Sequence, residues 1–141
     1  MERGTCGENL TWTLDNGTLT ISGAGAMENY TWTKKATWSS QRNLIKKVVI
    51  EDGVTSIGEF AFSYCVNLKG IKIPNNVTKI GYLAFSGCIC LEEIKIPSNI
   101  TRFDEGIFED CIKLKKIYYP ASFDFGGKLS DEGSNAELIP Y

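Results

Sequence analysis

Apolar and polar positions along the chain follow one template that recurs every 23 residues. Three segments align on it: IKKVVIEDGVTSIGEFAFSYCVN from Ile45, LKGIKIPNNVTKIGYLAFSGCIC from Leu68 and LEEIKIPSNITRFDEGIFEDCIK from Leu91. A fourth, LKKIYYPASF from Leu114, begins the same way and then decays. The step carries Val48 to Ile71, Ile94 and Ile117, and Phe62 to Phe85 and Phe108. Each unit changes periodicity partway. In LKGIKIP, Ile71 and Ile73 alternate with polar residues as a half-buried strand requires, and Pro74 stops the strand. Ala84, Phe85, Cys88 and Leu91 then fall at i, i+1, i+4 and i+7, the spacing of one helical face. Two turns at most are available, so the return is expected as a short or irregular helix.

A strand and a short return within 23 residues are the signature of a leucine-rich-repeat coil. The fold expected is an α/β-type repeat solenoid. It is a right-handed coil with a parallel sheet on its concave face and a short helical or irregular convex side. One unit buries too little apolar surface to offset the ordering of its own residues, so the units must stack and the ends need caps. Residues 1–44 read as the N-terminal cap. A β-hairpin runs over about 9–22, where Leu10, Trp12 and Leu14 alternate, Asp15-Asn16-Gly17 turns and Leu19 and Ile21 return. A loop follows, and then a short helix over about 38–44. The repeats occupy 45–67, 68–90, 91–113 and, in part, 114–123. Residues 124–141, rich in Gly, Ser and Asp, read as a weak C-terminal cap or tail.

Composition narrows the chemistry. The chain has 141 residues, five cysteines and no histidine. Without histidine there is no Ser-His-Asp or Cys-His catalysis and no His-ligated metal. No nucleophile–base pair, cofactor motif or metal-ligand spacing is visible, so no enzyme, cofactor or metal is expected. A formal charge of −2 argues against general nucleic-acid binding. No apolar run approaches membrane-span length, and no signal peptide follows the initial MERGTCGEN. GAGAM at 23–27 lacks the Gly-Lys-Ser/Thr of a phosphate loop and reads as a turn. Sequons at Asn9, Asn16, Asn29, Asn76 and Asn99 follow from the repeat and from Thr-rich cap strands.

The string I-x-I-P-x-x-V-T-x-I-G-x-x-A-F-x-x-C-x-x-L resembles the BspA-like leucine-rich repeats of bacterial and protozoan surface proteins. LTWTLDNGTLTISGAGAM, Trp38 and IKKVVIEDGVTSIG resemble that family's N-terminal cap segment. The resemblance spans residues 6 to about 123. It departs at Thr37 (Pro in many relatives), Asp104 (the repeat Gly) and Ile107 (the repeat Ala). What it implies is a non-catalytic, secreted or cell-surface module for adhesion and protein–protein interaction, with no catalytic residues to carry over.

Within L-x-x-I-x-I the intervening positions face out along the strands. They hold Lys46, Lys47, Lys69, Lys72, Lys95, Lys115 and Lys116 against Glu92 and Glu93, a net +5 strip in an acidic chain. Lys47, Lys69, Lys72, Lys95, Lys116, Tyr118, Glu92 and Glu93 are therefore the candidate partner-binding residues. The partner is expected to be a protein or an acidic glycan, with host extracellular matrix or another surface protein as candidates. No nucleic acid or membrane insertion is expected, and the chain should be monomeric in isolation. Trp12, Trp32, Trp38 and Tyr30 cluster in the cap. Trp12 reads as core, whereas Trp32 in YTWTKK is free to stack on a sugar. The alternative function is thus a glycan-binding module built on cap aromatics, and a third is a spacer in a larger surface protein. Cys65, Cys88 and Cys111 share one template position and are expected as a buried ladder. Cys90, equivalent to Asn67 and Lys113, is expected as an exposed reactive thiol.

Overall fold

The computed structural model describes residues 1–129 and 135–141. Its strands are β1 (Glu2–Gly7), β2 (Leu10–Asp15), β3 (Thr18–Gly23), β4 (Gly25–Ala26), β5 (Lys47–Ile50), β6 (Val54–Ile57), β7 (Gly70–Lys72), β8 (Lys79–Ile80), β9 (Glu93–Lys95), β10 (Arg102–Phe103), β11 (Lys116–Tyr119) and β12 (Glu137–Pro140). A 3-10 helix, Ser39–Leu44, stands where a short helix is expected. The chain winds as a β-solenoid, each repeat contributing one strand to each of two parallel stacks. One stack runs β3-β5-β7 and, separately, β9-β11-β12; the other is β4-β6-β8-β10.

The cap is more than a hairpin. Asn16 and Gly17, at φ 50 and 82, make the two-residue turn that suits Asn-Gly. β1 adds an antiparallel strand to β2 that alternation did not announce. β3 is at once the return of the hairpin and the first strand of the solenoid, with Leu19 beside Val48 and Ile21 beside Ile50. Trp38 supplies the aromatic position of the cap turn that precedes the first coil. Trp38, Phe62, Phe85 and Phe108 form a near-parallel stack along the axis, with centroids 5.4, 5.5 and 6.1 Å apart. The Trp38 indole N–H donates to the Ala61 carbonyl at 3.0 Å. Thr37 has a purpose too: its hydroxyl accepts from the Trp12 indole (2.8 Å) and donates to the Thr5 carbonyl (2.7 Å), tying β1 and β2 to the coil.

The return side takes the irregular form of the helical or irregular side expected. Among the described residues it is a succession of tight turns, with i→i+3 bonds from Ala61 to Gly58, Ser63 to Phe60 and Cys65 to Phe62. The reason lies in two template positions with left-handed backbone. Phe60, Leu83 and Gly106 have φ of 59, 55 and 70; Tyr64, Gly87 and Asp110 have 60, 72 and 60. A left-handed residue every four positions interrupts any right-handed helix. The turns instead bond from coil to coil. Phe60, Phe62 and Tyr64 donate backbone N–H to the carbonyls of Tyr82, Ala84 and Ser86, and the next coil repeats the pattern.

At the far end, residues 124–141 are not simply a tail. Residues 130–134 lie outside the described residues, but β12 continues the parallel stack on β11, with Glu137 beside Lys116. Phe125 packs edge-on against Phe103 and Tyr119 at 5.0 and 5.9 Å and closes that end of the core. No described helix is long and apolar enough to cross a membrane.

Candidate interaction site on the strand face

The candidate lysines occupy strands whose inward residues anchor them. Lys47 on β5 and Lys72 on β7 are exposed beside buried or half-buried apolar neighbours, as are Lys95 on β9 and Lys116 on β11. Cross-strand register then sorts their charges. Lys116 sits between Glu93 and Glu137, and Lys115 Nζ pairs with Glu92 at 3.3 Å. The C-terminal half of the strip is therefore a mixed, locally balanced patch, and Glu137 belongs to it because β12 brings it there. Lys47, Lys69, Lys72 and Lys95 keep the positive character, since no described carboxylate pairs with them. Tyr118 lies beside Lys95 in register and is half-buried.

Between β7 and β9 the stack opens. Strands on either side pair normally, yet among the described residues no ladder joins these two. Ile71 and Ile73 are only partly buried, whereas Val48, Ile50, Ile94 and Ile96 are buried. The opening is a cleft of about 630 Å³ walled by Lys69, Ile71, Glu93, Ile94, Lys95, Tyr118 and Tyr141, so its two lysines face one carboxylate. Gly70 leaves its floor open, because a Cβ there would meet nothing within 4 Å. Tyr141 donates its hydroxyl to the Ile96 carbonyl, and Lys95 Nζ lies 4.8 Å from the centre of its ring. Facing strand edges with unmade backbone bonds are thus flanked by two lysines, two tyrosines and Glu93.

The cysteines have no such role. Cys65, Cys88 and Cys111 are buried. The thiols of Cys88 and Cys111 donate to the carbonyls of Phe62 and Phe85, 3.2 and 3.1 Å away in the preceding coil. Burial pushes Cys65 up to about 12; burial raises Cys88 well above the ordinary thiol value, with Cys65 and Cys111 adding to the effect. Burial, then Glu28, pushes Cys6 up to about 12. Cys90 is half-buried rather than exposed, unlike its exposed template equivalents Asn67 and Lys113. Thiol reagent applied to native protein at mildly alkaline pH is expected to label Cys90 first and leave the other four until unfolding. Peptide mapping that found Cys88 labelled as fast as Cys90 would contradict the buried ladder.

Of the cap aromatics, Trp12, Trp38 and Tyr30 are core and Trp32 is not. Tyr30 packs edge-on against Trp38 at 5.9 Å, whereas Trp32 is 58% exposed.

A family model described as BspA type leucine rich repeat region (6 copies) matches residues 34–130. The chain belongs to the BspA-type leucine-rich repeat family. Solved structures of bacterial leucine-rich repeat proteins share its fold. A protein from Eubacterium ventriosum is 25% identical with a TM-score of 0.60, covering 86% of this chain and 45% of that one. The Treponema pallidum leucine-rich repeat protein is 17% identical with a TM-score of 0.62, covering 96% and 64%. A leucine-rich repeat protein from Bacteroides capillosus is 22% identical with a TM-score of 0.56, covering 79% and 94%. The chain thus spans less than two thirds of the first two. No curated protein matches it. In this BspA-type repeat chain, the residues that wall the cleft and the strip beside it were legible only in part. Lys69 and Lys95 were found from the template, whereas Glu137 and Tyr141 were missed. Their one signal was the I-P of ELIP, which imitates the end of a repeat strand but pairs 21 residues after Lys116 rather than 23.

Proposed function

We propose that this BspA-type module is a non-catalytic recognition element, secreted or displayed at a cell surface, that adheres to a protein partner through an acidic, extended segment. The observation that carries this reading is the cleft between β7 and β9, where unpaired strand edges lie between Lys69 and Lys95. A structural relative from Faecalibacterium prausnitzii is described as a leucine rich cell surface protein. It is 17% identical with a TM-score of 0.50 and covers 99% of this chain and 51% of that one. Its description supports the location by analogy alone.

The test is capture of proteins from a solubilised extracellular-matrix mixture by the immobilised chain. Lys69→Glu with Lys95→Glu is expected to weaken capture about tenfold at low salt and less at high salt, since exposed charges act over a Debye length. Melting should fall by no more than a few degrees, because both side chains are exposed and only the Lys95–Tyr141 ring contact is lost. Capture that ignored the double reversal would sink the strand-face reading.

A further inference from the structure

A second cavity lies away from the strand face, where the cap loop meets the first coil. Its volume is about 280 Å³, at the small end of ligand pockets. Trp32, Phe60 and Tyr64 form its aromatic walls, and Lys35 and Arg42 stand at its sides. Trp32 meets Phe60 edge-on at 4.9 Å and lies tilted by 44° to Tyr64 at 6.1 Å. The rings therefore make a corner rather than a flat patch.

Three observations mark the corner as built. The loop carrying Trp32 is held in shape by Thr31, whose N–H donates to the Lys34 carbonyl and whose hydroxyl accepts from the Lys34 N–H, both at 2.9 Å. Phe60 and Tyr64 occupy the two left-handed positions of their coil, where glycine stands in later coils at Gly106 and Gly87. Holding a bulky residue there costs on the order of 1–2 kcal/mol, and only the first coil places an aromatic at both. Finally, the Tyr64 ring lies on Gly87: a Cβ at that glycine would stand 2.6 Å from the ring.

The chemistry points one way. No carboxylate lines the cavity, and no described acid pairs with Lys35 or Arg42. The backbone N–H groups of Phe60 and Tyr64 are already bonded to the next coil, so this wall offers no strand edge to a peptide. An occupant must be ring-sized, present an apolar C–H face to Trp32 and carry an anion. We propose that this corner binds one acidic pyranose unit, a uronate or sialate residue of a glycan. Its C–H face stacks on Trp32 and Tyr64 while its carboxylate accepts hydrogen bonds from Arg42 and Lys35. This site is separate from the strand-face cleft and does not depend on it.

The experiment titrates the intact chain with methyl glucuronide, sialic acid methyl glycoside, methyl glucoside and the acidic dipeptide amide acetyl-Phe-Glu, read by indole resonances and tryptophan emission. At least one acidic sugar is expected to perturb Trp32 and to bind about tenfold more tightly than methyl glucoside, the difference one charge-assisted hydrogen bond supplies. Lys35→Gln with Arg42→Gln should abolish that preference while sparing the neutral sugar. Trp32→Ala, with melting unchanged because the ring is mostly exposed, should abolish binding of both. Equal affinity for acidic and neutral sugars overturns the proposal. So does the absence of binding by either acidic sugar, retained binding in Trp32→Ala, or tighter binding by the dipeptide.

Discussion

Replacing Phe85 by alanine is expected to destabilise the chain by about 3–5 kcal/mol, the range for emptying a fully buried phenylalanine site. Phe85 is 0% exposed and is stacked on Phe62 at 5.5 Å and Phe108 at 6.1 Å, so its loss opens a cavity shared by three coils. The walls cannot collapse into it. Backbone bonds from Phe62 to Ala84 and from Phe85 to Ile107 fix the coil spacing on this side. Stabilities of small domains run about 5–15 kcal/mol, so the variant should retain little margin and melt roughly 10 °C lower or more. Because each coil is supported mainly by its neighbours, the break should propagate to the end of the solenoid beyond it. Denaturant melts of Phe85→Ala and Phe85→Leu make the check. The leucine variant should lose well under half as much, and an alanine variant losing less than about 1 kcal/mol would show that the aromatic stack is not a structural axis.

Gly58→Ala is expected to cost about 3 kcal/mol, at the upper end of overpacking penalties. A Cβ at Gly58 would overlap the Glu28 carbonyl oxygen and stand 2.8 Å from its carbon, so the obstacle is backbone and no rotamer change relieves it. Gly81 repeats the arrangement against the Glu59 backbone, 2.7 Å away. Asp104 holds the equivalent place in the third coil, and its N–H still bonds to Ile80. A side chain there is thus compatible with coil pairing where the neighbouring chain leaves room. What forbids it at Gly58 is the close passage of residues 28 and 29, which join cap to solenoid. Asn29 strengthens that junction by accepting the Glu59 N–H at 3.0 Å. The damage should therefore appear first as loss of the cap, seen as faster hydrogen exchange in β3 and β4 than in β9 and β11. Uniform exchange, or an unchanged melting curve, would contradict the close passage.

Both effects hang on positions that the 23-residue template places without any coordinates. Phe85 is a column of identical residues, and Gly58 and Gly81 are a column broken only by Asp104. The cysteine ladder was legible in the same way, because a column of small apolar residues in a solenoid has nowhere to point but inward. Of the two forms expected for the return, short helix or irregular, the irregular one is found, for an instructive reason. Apolar spacing at i, i+4 and i+7 is shared by helices and by successive tight turns, and period alone cannot tell them apart. A signal was nonetheless present: the columns Phe60, Leu83, Gly106 and Tyr64, Gly87, Asp110 each contain a glycine, which marks left-handed backbone. Attention to those columns would have removed the helix and drawn notice to Phe60 and Tyr64.

By itself, then, the sequence determined the repeat, the inward columns, the hairpin and the family, because each is set by periodicity within about two dozen residues. Only the tertiary structure decided which outward residues act together. The balance of Lys116 between Glu93 and Glu137 depends on a strand with off-period spacing. The cleft depends on a ladder that is not made between β7 and β9. The aromatic corner depends on a cap loop meeting the first coil roughly a repeat length away. Inward positions are dictated locally because burial rewards the same apolar residue in every coil. Outward positions are not, since their neighbours come from register and loop path, which the full packing of the chain sets.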